Sequence, residues 1–159
     1  MKYSQYNFKF YLNANHAIWL GGVLGQNHPH TWEISLDTIK VGDDFVQFDQ
    51  IEKSVEKYFA GFQDSDINKI EPFITTNPTL ENLCGYFKNE LGKLLGSKGW
   101  LLVRIEMSET PTRSYIIDLT DEVDVILAAN RRERELSRNF SSAADNMLDQ
   151  ILGSKESGK

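Results

Sequence analysis

All three histidines of this 159-residue chain, His16, His28 and His30, fall inside one short window, "NANHAIWLGGVLGQNHPHTWEISLD". Neutral imidazole is the commonest metal ligand among side chains. Three of them around a zinc ion leave one tetrahedral position open for water or substrate. Two of the three form a His-x-His pair, and residues two apart on a strand share a face, which chelation from one strand requires. Taken singly, each has a plainer reading: His28 and His30 as polar residues at a loop mouth, His16 as the end of a strand. Together, in matching parity, they point to a metal site. Zinc is preferred over iron because no carboxylate completes an obvious facial triad.

The elements that must position them are legible around the window. Tyr6, Phe8, Phe10, Leu12, Ala14 and His16 alternate with polar neighbours, which predicts a half-buried strand. A second alternation puts His28, His30, Trp32, Ile34 and Leu36 on one face. Between them "LGGVLGQN" reads as a loop. If the two strands are adjacent and antiparallel, all three imidazoles converge.

Downstream, Phe48, Ile51, Val55, Tyr58, Phe59 and Phe62 recur at helical spacing, so 46–62 is expected to be an amphipathic helix. A second helix starts in "TTNPTLENL", with Asn77 as N-cap, Pro78 at the first helical position and Gly96 as the stop. "WLLVRIEM" then alternates, with Leu101, Val103, Ile105, Met107 and Glu109 in one parity, and "RSYIIDL" makes a fourth strand. The order strand, strand, helix, helix, strand, strand predicts an α+β fold: a four-stranded antiparallel sheet with two helices on one face. Residues 121–159 change character, and Leu136, Phe140, Ala143, Met147 and Ile151 predict an added C-terminal helix with a disordered end. The expected division is a domain over 1–120 and a helical extension over 121–159.

Glu109 is a second chemical candidate. An ionised carboxylate accepts two hydrogen bonds at once and suits two neighbouring N–H donors of a heterocycle. On local sequence alone a solvated strand-end glutamate is the plainer reading. Cys84 falls in the apolar stripe of the second helix and reads as a small buried hydrophobe. "NRRERE" reads as a solvated helical face, and "LGGVLG" matches no phosphate-binding loop.

Composition narrows the function classes. With 17 basic and 23 acidic residues, the net charge of −6 argues against a nucleic-acid-binding surface, which needs a basic footprint. The single cysteine excludes a disulfide framework within the chain and fits a reducing compartment. No apolar run is long enough to span a membrane and there is no signal-peptide core, so the expectation is a soluble cytoplasmic protein.

Four stretches, in order, resemble the 6-pyruvoyl tetrahydropterin synthase family, which includes the 6-carboxytetrahydropterin synthases. "FKFYLNANH" is similar to the family's strand ending in Ala-x-His, and "HPHTWEISL" to its His-Gly-His strand. "NPTLENL" resembles its Pro-Thr-x-Glu-Asn helix start, and "SETPT" its Glu-Thr near the end of the third strand. The resemblance covers about 5–119. It implies a tunnelling fold assembled as a homohexamer of two trimers, zinc on His16, His28 and His30, and Glu109 anchoring a pterin ring with Thr79 near the same pocket. It implies a lyase or synthase reaction on a pterin such as 7,8-dihydroneopterin triphosphate. There zinc acts as a Lewis acid on the side-chain hydroxyls and a cysteine thiolate moves the protons.

The chain departs from that pattern at the proton-transfer groups. The family's cysteine lies four or six positions before the His-x-His pair, where this sequence has Leu24 and Gly22. The family's Asp-His pair falls in "FQDSDIN", as Gln63 and Asp64, and the middle glycine of His-Gly-His is Pro29. Two readings follow. Asp64 serves as the base, helped by zinc and by burial; or the protein binds a pterin-like heterocycle without the synthase reaction. A structural zinc staple is the weakest third option, because structural sites are usually four-coordinate with cysteines. For a triphosphate, Lys9, Lys53 and Arg104 are candidate cations, none marked by spacing.

Overall fold

A computed structural model of the protein describes residues 3–42 and 45–153. The elements run β1 (Tyr6–His16), β2 (Trp19–Leu20), β3 (Val23–Leu24), β4 (His28–Lys40), α1 (Phe48–Phe59), β5 (Ser65–Asp66), a 3₁₀ turn (Ile67–Lys69), α2 (Leu80–Gly96), β6 (Trp100–Thr110), β7 (Arg113–Asp118) and α3 (Thr120–Gly153). The fold is α+β. Its main sheet has five strands in the order β5-β1-β4-β6-β7. The four long strands are antiparallel neighbours, as the sequence predicts, but β5 adds a short parallel strand beside β1. The sheet is therefore mixed, and not a four-stranded antiparallel one. Two residues carry no periodicity, so β5 leaves no signal in the sequence.

β1 buries every second residue, from Phe8 through Phe10, Leu12 and Ala14 to His16. It pairs with β4, whose Trp32, Ile34 and Leu36 are fully buried on the same side. Ile51, Val55 and Phe59 of α1 join that face in one hydrophobic cluster with Leu80, Leu83, Cys84, Phe87, Leu91 and Leu95 of α2. At about 25 cal/mol per Å² of apolar surface, each such side chain contributes roughly 1.5–3 kcal/mol when buried.

Three local expectations are corrected. The α1 helix is shorter than 46–62; Phe62 is still buried, but from the turn that follows the helix. The N-cap of α2 is Thr79, whose hydroxyl accepts from the Asn82 N–H, so Pro78 stands outside the helix. Asn77 instead clamps the backbone of Trp19, accepting from its N–H and donating to its C=O, both at 2.9 Å. On β6 the parity breaks at Val103. Asp37 pairs with Arg104 but Thr38 pairs with Leu102, so Val103 is an extra residue. That bulge turns Trp100 and Leu102 into the core and leaves Leu101 only half-buried.

The stretch read as a loop contains a small hairpin, β2–β3, turning through Gly21 and Gly22. Both have positive φ, 57° and 83°, the pair a type I′ turn requires and glycine adopts without a Cβ penalty.

Contacts divide the chain into Met1–Thr120 and Asp121–Lys159. In the second unit α3 is one long helix on which Leu136, Phe140 and Met147 are exposed. The Ile151 side chain and the expected disordered end, 154–159, lie outside the described residues. No helix among the described residues is long and apolar enough to cross a membrane.

Candidate metal centre

Strand register assembles the site. In the β1–β4 ladder His16 stands directly opposite His28, and Ala14 opposite His30. All three rings leave the same face, with centroids 4.7, 5.0 and 4.8 Å apart for 16–28, 16–30 and 28–30. One nitrogen from each can be chosen so that all lie within 4.8 Å of one another. Trp32 closes the core side, its ring 5.0 Å from His16 and 5.2 Å from His30.

The hydrogen bonds fix which nitrogens are available. His16 Nδ1 lies 2.8 Å from the Pro78 carbonyl, and His28 Nδ1 lies 2.8 Å from the Gln26 carbonyl. A carbonyl only accepts, so Nδ1 carries the proton in both rings and Nε2 keeps its lone pair. Metal-bound histidines are oriented by outer contacts of this kind. His16 Nε2 is buried with no hydrogen-bond partner among the described residues. Burial is the main reason that His16 and His30 hold a proton less tightly than an ordinary imidazole; Glu109 opposes that shift at both, and the Pro78 carbonyl opposes it at His16. Imidazoles that cluster in this way, with the Nε2 lone pairs of His16 and His28 left free, suit zinc, which takes nitrogen ligands in this form.

Glu109 lies beside the cluster, against His16 and His30. It is the extra residue of a second bulge, since Ser108 pairs with Ser114 and Thr110 with Arg113. Its side chain is 9% exposed, with Oε1 at 3.4 Å from His16 Nε2 and 3.3 Å from His30 Nε2. Oε2 accepts from the Arg113 guanidinium at 2.9 Å. The solvated strand-end reading of Glu109 is thereby set aside.

The remaining candidates are more dispersed. Thr79 caps α2 one residue after Pro78, so its hydroxyl is engaged by the helix. Asp64 is exposed, not buried, with a φ of 56° that aspartate tolerates better than most residues. It shares a cavity of about 460 Å³ with Asn13, Asn15, Pro29 and His30. A separate cavity of about 340 Å³ is lined by Glu109 with Tyr11, Thr31, Glu33 and Ser108. Of the candidate phosphate cations, Lys9 is paired with Glu33, Lys53 with Asp49, and Arg104 with both Asp37 and Glu106.

Two asparagines hold the segment after His16, a role the sequence does not show for either. Asn68 grips the Ala17 backbone through both its N–H and C=O, as Asn77 grips Trp19. Their partners lie 51 and 58 residues away in sequence, and no local pattern announces them.

Residues 5–119, well over half of the chain, match the 6-pyruvoyl tetrahydropterin synthase family. The chain belongs to that family. The 6-pyruvoyl tetrahydropterin synthase of Caenorhabditis elegans superposes with a TM-score of 0.58 at 16% identity, over 72% of this chain and 94% of that one. The Plasmodium falciparum 6-pyruvoyl tetrahydropterin synthase gives 0.52 at 18% identity, over 72% and 98%. An uncharacterised protein of Wolinella succinogenes gives 0.55 at 13% identity, over 72% and 97%. These likenesses concern the fold. No curated protein is a significant match to the chain. As a member of a pterin synthase family, this chain is assigned a lyase-like, pterin-synthase-like role at the level of its class.

Proposed function

We propose that the protein is a zinc-dependent lyase acting on a pterin such as 7,8-dihydroneopterin triphosphate. The observation that carries this is the convergence of His16, His28 and His30 on one point beside the buried Glu109 carboxylate. The three imidazoles hold the metal, with the Nδ1 positions of His16 and His28 tied to carbonyls. When bound, zinc supplies Lewis acidity at the substrate's side-chain hydroxyls. Glu109 recognises the heterocycle by accepting its paired N–H donors, and Asp64 takes the proton from the cavity it shares with His30. The partner is a small molecule rather than nucleic acid or membrane, in keeping with the net charge of −6. We place the protein in the cytoplasm as a homohexamer of two trimers; the edge strand β7, with Tyr115 and Ile116 exposed, supports assembly through the sheet.

A second reading is favoured by one specific observation. The only thiol, Cys84, is fully buried in α2 and pushed up to about 12 by that burial, so no thiolate replaces the family's cysteine. In this reading the site binds a pterin-like heterocycle without the synthase reaction. Incubating zinc-loaded protein with 7,8-dihydroneopterin triphosphate and weighing the products separates the two. Triphosphate release with a shortened or oxidised side chain, abolished by Asp64→Asn, is the expected result. Unchanged substrate that binds and is released when zinc is stripped contradicts the lyase and leaves the binder.

A further inference from the structure

The Glu109 carboxylate is used on one side only. Oε2 accepts from Arg113, while Oε1 is buried and has no hydrogen-bond partner among the described residues. It faces His16 Nε2 and His30 Nε2 at 3.4 and 3.3 Å, yet makes a hydrogen bond with neither. For His16 the reason is clear: the ring proton is on Nδ1, against Pro78. A carboxylate oxygen and an imidazole lone pair are both acceptors. Buried face to face without a donor between them, they are unfavourable for each other and for the fold. A cation between them converts that repulsion into coordination.

The spacing fits such a cation. Zinc bonds to nitrogen and oxygen of about 2.0–2.1 Å, set at a tetrahedral angle, hold ligand atoms about 3.3–3.4 Å apart. The Glu109 separations from His16 and from His30 have that value. The bulge that makes Glu109 an extra residue on β6 aims the side chain at the cluster, as bulges beside functional sites often do. Arg113 then holds the second oxygen from outside.

We propose that Glu109 is a fourth ligand of the metal held by His16, His28 and His30 when no substrate is bound. This rests on the zinc reading above and adds a second duty to Glu109. The carboxylate cannot close the metal site and accept two N–H donors of a heterocycle at once, so the closed site and pterin binding compete.

The test measures zinc affinity by competition with a chromophoric chelator, and the visible absorption of the cobalt(II)-loaded protein. It compares wild type with Glu109→Gln, Glu109→Ala and His28→Ala, each checked for native circular dichroism. Both Glu109 variants are expected to bind zinc at least about tenfold more weakly and to change the cobalt spectrum. Glu109→Gln preserves side-chain size, so a packing defect in the alanine variant does not decide the result. If both Glu109 variants match wild type in affinity and spectrum while His28→Ala loses the metal, the fourth-ligand proposal is overturned and the three-imidazole site stands. If wild type takes up no metal, both are overturned.

Discussion

The His16 imidazole and the Pro78 carbonyl meet at 2.8 Å, joining the end of β1 to the residue just before the N-cap of α2. This contact selects the His16 tautomer, so the start of a helix sets the chemistry of a strand residue. Thr79→Ala removes the hydroxyl that caps α2 and is expected to cost about 1 kcal/mol in urea unfolding. It should also weaken zinc binding, because the Pro78 carbonyl loses its anchor. Loss of stability with unchanged zinc affinity would show that the helix start does not position His16.

Protonation gives a second prediction. Burial keeps His16 and His30 below the ordinary imidazole value of 6.5 in the folded, metal-free chain. The unfolded chain therefore binds more protons just below that value. Stability rises with pH through the window, is complete above it, and is lost as pH falls toward the folded-state values. The melting temperature of chelator-treated protein should drop as pH falls through the ordinary imidazole value of 6.5, and His16→Gln should flatten the profile. A wild-type melting temperature that climbs on acidification over this range would contradict the assignment.

Trp32 supports the imidazoles from the core. It is fully buried and edge-on to His16. Trp32→Ala should cost about 3–5 kcal/mol through the cavity it leaves. Trp32→Phe retains most of the packing and deletes a buried indole N–H that has no partner among the described residues, so its cost should be far smaller. Equal losses in thermal or chemical unfolding would mean that the indole N–H, and not its volume, matters.

Cys84 should be chemically silent. Buried and held up to about 12, it should resist alkylation in the native protein and react only on unfolding. Cys84→Ala should lower stability by about 1 kcal/mol, the scale for removing one buried heavy atom, and leave any pterin turnover intact. Rapid modification of native protein accompanied by loss of turnover would reinstate a thiol mechanism.

Much of the site was legible because it depends on parity. His16 on β1 and His28 and His30 on β4 each follow an unbroken alternation, and antiparallel pairing then leaves little freedom. Leu101 departs from the expected parity because one extra residue, Val103, inverts the count, and a bulge has no signature in an alternating apolar run. Asn77 departs from the expected cap role for a different reason. Its helix-starting chemistry is genuine, but Thr79 satisfies the α2 N-terminus and frees Asn77 for Trp19. The orientation of Glu109 was out of reach, since it depends on a second bulge and on imidazoles from two other strands.

The central claim is that the imidazole cluster is a metal centre, and metal content tests it most directly. Protein purified without chelators and analysed by plasma mass spectrometry should carry zinc in equimolar amount. His28→Ala and His30→Ala should lose it while keeping native circular dichroism. Wild-type protein with no more zinc than these variants, after dialysis against zinc and removal of the excess, would contradict the account.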